Sequence, residues 1–517
     1  MKKKSLLLVF INCAAVSFAA TTVSDVTVTP GNPVAVNYVT AGDDAIVTVS
    51  FSADGVTLGD AAAANVYGDV NMAVSEGSHT LYWPAQAEYA AAGPVTATVK
   101  VWPTNDPPDY VVFDLTTKRR RFYTSIDAFP RGGIDSDLYR TDQIVMRRIP
   151  AAGVVWMRGS GGSEIGRYPN TWSGTDTVNA SEYGHNVQLT NDYYMSVFEA
   201  TQYQTLLITN NQWFTEFSNR SCWATRPADH INFRQIRGHK WKAGDGRATS
   251  ADCVVRYAQR IMDGNIDLPT DAQWEYACRA GTTTATWFGN YPDKTGNYES
   301  LNSYARYLYN GGNLAGTDEN TADYSMTTTG GTARVGTYLP NPWGLYDMLG
   351  NVSEYVLDGA GNESTAYYLF DANNVGMNPK NNVTYVNPEG CPTNCSRRIM
   401  RGGNWLQDGQ YCRSAYRAAS KNRIWDTINP RRYGYRLVWH FANPEGLTKA
   451  NSTYGTTNRP FVTPASATSA AVALGAAVKG ATELSPVSRI DLFEIGDYVS
   501  DETAVTTLPI GLHFLIR

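Results

Sequence analysis

The sequence predicts an all-β immunoglobulin-like sandwich followed by an α+β domain that is rich in loops. Strand-like runs with period-two alternation fill residues 20–103. Residues 146–440 are dense in Trp, Tyr and Gly and contain few long periodic stretches. Of the 517 residues, 43% are hydrophobic and 18% are charged, which excludes wholesale disorder. The length is sufficient for about three domains.

Residues 1–19 have the pattern of a secretory signal peptide. Three lysines precede an apolar run from Leu6 to Phe18, and small residues at Ser17 and Ala19 favour cleavage after Ala19. The run is too short to cross a bilayer, and no later segment is long and apolar enough to do so. We therefore expect a secreted, periplasmic or cell-surface protein with no membrane span.

Residues 20–103 are predicted to form the immunoglobulin-like sandwich. In its clearest strand, Val95, Val99 and the alanine between them share one face, while Thr96 and Lys100 share the other. A proline-rich stretch then marks a boundary, and residues 104–145 are predicted to be a linker and a hairpin. The basic run from Lys118 to Arg121 is interpreted as a solvated hairpin end.

Three helices are predicted in the domain of residues 146–440. One begins near Glu199, and a second covers residues 249–262. The third begins with a capping box, in which the Thr270 hydroxyl and the Gln273 amide satisfy free backbone donors, and it ends at Gly281.

Residues 441–517 form an Ala/Ser/Thr-rich C-terminal extension. Asp491–Tyr498 and Thr507–Ile516 are possible strands within it. The composition leaves open whether this extension docks on the main domain or on a partner.

Charge and cysteine content restrict the functional classes. Lys and Arg total 43 against 48 Asp and Glu, and a net charge of −5 gives no global attraction for nucleic acid. Six cysteines remain after signal cleavage, and an even number in an oxidising compartment favours disulfides without fixing their pairing. Cys391 and Cys395 have the spacing of a loop staple.

Several long motifs occur in order through the middle of the chain: IPAAGVVWMRGS, YYMSVFEATQYQ, LPTDAQWEYACRAG, NPWGLYDMLGNVSEY, MRGGNW and YGYRLV. Together they resemble the formylglycine-generating enzyme / sulfatase-modifying-factor family. The resemblance covers a little under three-fifths of the chain. It implies the family's loop-rich variant of the C-type lectin-like fold.

The stretch from Asp347 to Glu354 predicts a calcium site. Two carboxylates separated by a glycine turn can converge, and backbone carbonyls can complete the all-oxygen shell that Ca²⁺ prefers. The resemblance implies side-chain ligands from Asp347 and Glu354 and carbonyl ligands from Gly350 and Val352. The alternative is that these residues only cap and brace a turn.

The resemblance breaks at the family's catalytic centre, where two cysteines bind copper. These should lie six and eleven residues after Arg401, at positions that Gln407 and Cys412 occupy in this chain. Soft copper prefers two thiolates, so an amide in place of one thiol argues against copper binding. Ser353 and Tyr355 also stand where the family commonly has tryptophans.

These observations favour a secreted, non-catalytic, lectin-like scaffold stabilised by calcium and disulfides. Its partner would be an extracellular protein, a glycan or further copies of itself in a surface assembly. The alternative is an oxygen-dependent oxidase of the formylglycine-generating type acting on a peptide cysteine. A third hypothesis is that the C-terminal extension mediates assembly by adding a strand to a neighbour's sheet.

Overall fold

The computed structural model describes the chain in segments that cover most of both predicted domains. The described residues are 21–53, 56–57, 66–85, 94–104, 106–129, 133–160, 182, 184–211, 223–238, 252–289, 299–311, 331–360, 384–388, 397–420, 432–440 and 466–473. Residues 1–19 lie outside them, as do Asp491–Tyr498 and Thr507–Ile516. The signal peptide and these two strands therefore stay predictions.

Strands dominate the described structure. In chain order they are β1 (Thr22–Thr29), β2 (Val34–Ala41), β3 (Ala45–Ala53), β4 (Val56–Thr57), β5 (Tyr67–Gly68), β6 (Ala73–Val74), β7 (Gly77–Trp83), β8 (Pro94–Pro103), β9 (Tyr110–Asp114), β10 (Arg119–Tyr123), β11 (Gln143–Ile149), β12 (Val155–Arg158), β13 (His185–Gln188), β14 (Tyr193–Ser196), β15 (Asn265–Asp267), β16 (Ser353–Ala360), β17 (Thr384–Val386), β18 (Arg397–Arg401), β19 (Ala418–Ser420), β20 (Tyr433–Gly434), β21 (Val438–His440) and β22 (Ser466–Ala473).

The helices are short and belong to the middle of the chain. The α-helices are α1 (Gln202–Thr209), α2 (Phe233–Arg237), α3 (Val254–Met262), α4 (Asp271–Arg279) and α5 (Leu308–Gly311). Single 3₁₀ turns cover Ile126–Ala128, Gly133–Asp135, Asp137–Arg140, Trp223–Thr225, Glu299–Ser303 and Gly409–Tyr411. None of the described helices is long and apolar enough to cross a membrane.

The described residues fall into two compact units. The first contains the chain up to Pro107 together with β22, and its strands form the sheets β1-β2-β7-β5 and β22-β8-β3-β4, with β6 paired to β3. Side chains from both sheets share one apolar core, in which the rings of Phe51 and Trp83 stack with their centroids 3.9 Å apart. The first unit is thus a β-sandwich, and its immunoglobulin-like topology stays a prediction.

The alternation predicted for β8 is confirmed. Val95, Val99 and Val101 are buried on one face, and Thr96 and Lys100 on the other are partly exposed. Period-two alternation of this kind is what a strand with a single core-facing side requires.

The C-terminal extension contributes to the first unit. The sequence left open whether this extension docks on the main domain or on a partner. In the structure, all of Ser466–Ala473 pairs antiparallel with β8. The small side chains of this segment, SATSAAVA, contain no proline or charge that would oppose pairing at a sheet edge.

The described residues of the second unit, which lie between Pro108 and His440, form three sheets. Their strand orders are β10-β9-β11-β14-β21-β15, β12-β13-β17 and β19-β18-β16-β20. The predicted hairpin of residues 104–145 is present as β9 and β10, but it belongs to the first of these sheets rather than to a linker. Lys118 lies at its turn with a φ of 57° and is exposed, as a solvated hairpin end requires.

The predicted helices are present, with adjusted starts. The capping box of α4 is confirmed. The backbone N–H of Gln273 donates to Thr270 Oγ1 over 3.1 Å, and the backbone N–H of Thr270 donates to Gln273 Oε1 over 2.9 Å. The helix near Glu199 begins at Gln202, because Thr201 is its N-cap. The helix expected over 249–262 begins at Val254, where Cys253 is the N-cap.

Candidate functional site

The residues singled out from the sequence lie on two loops beside β16. Asp347, Gly350 and Val352 precede β16, and Glu354 is its second residue. Gln407 and Cys412 lie on the loop that follows β18. The Gly350 N–H donates to the carbonyl of Gly402 over 2.8 Å, which ties the two loops together.

Gly350 is required by its close approach to the backbone of Arg306. Its φ is 77°, and a Cβ atom at this position would lie 2.2 Å from the carbonyl oxygen of Arg306. Because only glycine avoids both the clash and the strain of positive φ, the sequence uses it here.

Glu354 has a guanidinium partner, Arg436. Its carboxylate is buried and accepts hydrogen bonds from Arg436 Nε at 2.7 Å and from Arg436 Nη2 at 2.6 Å. The indole Nε1–H of Trp274 donates to Oε2 over 2.7 Å. Arg436 therefore supplies the positive charge that a buried carboxylate needs.

Asp347 is also buried but retains an unused oxygen. The Gly336 N–H donates to Oδ2 over 2.6 Å, while Oδ1 has no hydrogen-bond partner among the described residues. Burial raises the pKa of Asp347 to about 6. Of the two predicted side-chain ligands, Asp347 is thus the one with an oxygen available for a cation.

A third carboxylate, Glu199, lies in the same region and was not predicted. It accepts hydrogen bonds from Asn351 Nδ2 at 2.6 Å and from the Val352 N–H at 3.1 Å. Burial, followed by the nearby Asp347 and Glu354 carboxylates, raises its pKa well above the usual range. The calcium site therefore stays a prediction.

Gln407 is held in a small amide network. Asn404 Nδ2 donates to Gln407 Oε1 over 2.7 Å and to Ser353 Oγ over 2.9 Å. Gln407 and Ser353 are two positions at which this sequence departs from the family pattern. Asn404 therefore hydrogen-bonds both residues that depart from the family pattern. One of these bonds is to the Gln407 amide oxygen, which stands in place of the expected thiol.

Cys412 lies in the apolar core of the second unit and is 0% exposed. Burial raises the pKa of its thiol well above the usual range, and the nearby Asp408 acts in the same direction. A nucleophilic cysteine needs a lowered thiol pKa and some access to solvent. The buried thiol of Cys412 and the hydrogen-bonded amide of Gln407 together do not form the pair of thiolates that a soft copper ion prefers.

The predicted disulfides stay predictions. The three cysteines within the described residues, Cys253, Cys278 and Cys412, are buried, and none forms a disulfide with another. Cys222, Cys391 and Cys395 lie outside the described residues. Within the described part of the chain, no group of three or more His, Cys, Asp or Glu side chains is arranged to hold a metal ion.

A buried ionic network anchors the loop that follows β18. Asp271, at the start of α4, pairs with Arg158 and Arg401 and lies 2.5 Å from Arg417 Nη2. Glu275, one turn later, lies 2.8 Å from Arg401 Nη2. Because Arg401 opens the loop that carries Gln407 and Cys412, this network fixes where that loop begins.

Comparison with known proteins places the chain in a family. The sequence profile of the sulfatase-modifying factor enzyme 1-like domain matches residues 163–441. The formylglycine-generating enzyme of Bos taurus is 27% identical over 177 residues, which cover 33% of this chain and 38% of that protein. The formylglycine-generating enzyme of Mycobacterium tuberculosis is 30% identical over 173 residues, 33% of this chain and 50% of that protein. The chain thus spans half or less of the length of these relatives.

Two solved structures are also similar. Treponema denticola variable protein 1 is 19% identical with a TM-score of 0.35, and the alignment covers 57% of this chain and 95% of that one. CarF is 15% identical with a TM-score of 0.29, covering 56% of this chain and 98% of that one. With the profile match extending over more than half of its residues, the chain belongs to the sulfatase-modifying factor family.

Proposed function

We propose that this chain is a secreted, non-catalytic member of the family, a lectin-like scaffold that binds an extracellular partner. The observation that carries the proposal is the state of the two positions where the family has its copper cysteines. Gln407 offers a hydrogen-bonded amide, and Cys412 offers a thiol that is 0% exposed. Gln407 therefore gives soft copper no thiolate, and the buried Cys412 is not the accessible thiolate that a nucleophilic step requires.

The binding surface would lie around the same loop. The Leu308 N–H donates to the Gln407 carbonyl over 3.0 Å, which places α5 beside this position. The next residue, Tyr309, has 41% of its surface exposed. An exposed tyrosine beside an amide provides both an aromatic face and polar groups, a combination that suits a protein or a glycan.

Copper binding tests this proposal. We expect the purified protein to take up no tightly bound Cu(I) in competition with a chromophoric chelator, because one thiol of the pair is missing. Gln407→Cys returns a thiol to the family's position, and we expect this variant to gain one Cu(I). One equivalent bound by the unmodified protein and lost in Cys412→Ser would contradict the proposal.

We also propose that calcium stabilises the second unit, with Asp347 as its main side-chain ligand. The unused Asp347 Oδ1 supports this, whereas the Arg436 contacts leave Glu354 a lesser role. The protein should melt at a higher temperature in Ca²⁺ than in EGTA, and Asp347→Asn should reduce the difference. Identical melting temperatures for the unmodified protein in the two buffers would argue against the site.

The alternative function, an oxygen-dependent oxidase acting on a peptide cysteine, is supported by family membership. The aligned relatives are named formylglycine-generating enzymes, and the Arg401-Gly-Gly motif is retained here. For this chain to act in that way, Cys412 would have to become accessible and find a second soft ligand.

A further inference from the structure

The first unit is closed by a strand from the far end of the chain. β22 pairs with β8 in a continuous antiparallel register that runs from Ser466 opposite Val101 to Ala473 opposite Pro94. Because β8 pairs with β3 on its other side, β22 occupies what would otherwise be the edge of this sheet.

Side chains of β22 also reach the second sheet of the sandwich. Ser466 Oγ accepts a hydrogen bond from the Val23 N–H over 3.3 Å, and Thr468 Oγ1 donates to the Val23 carbonyl over 2.7 Å. Val23 belongs to β1, the edge strand of that sheet. β22 therefore joins the open edges of both sheets.

Between its terminal prolines, Pro94 and Pro103, β8 has little to guard that edge. Native proteins usually protect a long edge strand with charges, prolines or a covering element. The outer strand β10 of the second unit carries Arg119, Arg120 and Arg121, whereas β8 has Lys100 as its single charged residue. Without β22, the eight residues 94–101 of this largely uncharged strand would present unpaired backbone groups.

We propose that the edge of β8, together with the backbone of Val23, is an acceptor site for an extended segment, and that a second copy of this chain can supply its Ser466–Ala473 strand there. The main-chain ladder and the two hydroxyl contacts depend only on that segment. Twenty-five residues, 441–465, separate β21 from β22 in the sequence. Fully extended, they would span on the order of 80 Å, enough to reach a neighbouring copy. This inference is independent of the proposed function.

Truncation and complementation test the acceptor site. A chain that lacks Pro464–Arg517 should lose hydrogen-exchange protection of the β8 amides, and a synthetic peptide of residues 463–482 should restore it. Thr468→Pro in the full chain should lower the same protection, while Ser469→Ala should not, because the exposed Ser469 hydroxyl contacts the Thr98 side chain and not the backbone ladder. Unchanged protection in both the truncated chain and Thr468→Pro would overturn the proposal.

Refolding tests the second copy as donor. The full chain refolded at high concentration should give dimers by light scattering, and the chain without Pro464–Arg517, refolded with an excess of the peptide, should stay monomeric. A full chain that is monomeric at every refolding concentration would overturn exchange between copies. So would dimers that persist in the peptide-filled truncated chain.

Discussion

Arg401→Met should lower the free energy of unfolding of the second unit by about 3–5 kcal/mol, the cost of removing one partner from a buried ionic group. The guanidinium of Arg401 is 0% exposed and contacts both Asp271 and Glu275. Its Nη1 also donates to the carbonyls of Ser414 and Tyr416, each at 3.0 Å. The substitution therefore removes one hydrogen-bond donor from each of these buried acceptors.

Arg334→Met provides a matched control. Arg334 pairs with Asp137, but the two side chains are 32% and 38% exposed. Partly exposed pairs of this kind contribute about 0.2–1 kcal/mol. Denaturant unfolding of both variants, monitored by tryptophan fluorescence, measures the difference. A loss for Arg401→Met no greater than that for Arg334→Met would show that the network does not support the loop.

The stability of the protein should fall as the pH rises from about 4 to 6, and Asp358 is one of the buried carboxyl groups responsible, together with Asp347. Its carboxylate accepts a hydrogen bond from the Asp271 N–H over 2.7 Å. Burial, and after it the Asp271 charge, raises the pKa of Asp358 from 3.8 to about 6. A raised pKa in the folded state means that the folded protein binds more protons in this interval. The contribution is complete below pH 3.8 and is lost as the pH passes 6.

Glu275 acts in the opposite direction at lower pH. Burial alone would raise its pKa, but the neighbouring guanidinium groups, first Arg279 and then Arg401, lower it to about 2. Its contribution is present above its ordinary value of 4.5 and is lost as the pH falls toward 2. Stability should therefore pass through a maximum near pH 4.

Urea unfolding at intervals between pH 3 and pH 7, carried out in EGTA, measures both effects. Asp358→Asn keeps an acceptor for the Asp271 N–H and removes the titration, so it should flatten the decline above pH 4. Asp137→Asn, at a partly exposed position, should leave the decline unchanged. The same decline in Asp358→Asn as in the unmodified protein would assign it to other groups.

Local features of the fold were predictable from the sequence. The capping box at Thr270 and Gln273 spans four residues, and the alternation along Val95, Val99 and Val101 needs only one strand. Both depend on backbone chemistry within a few residues of each other. The family motifs also identified the loops that carry Asp347 and Gln407.

Contacts between distant parts of the chain were not predictable in this way. Arg436, which neutralises Glu354, lies 82 residues after it, and β22 pairs with a strand more than 360 residues earlier. Glu199 shows no local sign that it hydrogen-bonds Asn351 from 152 residues away. One signal was available, since Glu199 lies within a family motif and is an acidic residue in an otherwise apolar and aromatic stretch. A charge in such a stretch needs a buried partner.

Oxygen consumption with a cysteine-containing sulfatase peptide and added copper is the most direct measurement of whether this chain is a scaffold or an oxidase. We predict no uptake that depends on the peptide, because Cys412 is enclosed in the core and Gln407 cannot replace a thiolate. Peptide-dependent uptake with formation of an aldehyde, abolished by Cys412→Ser, would contradict this account.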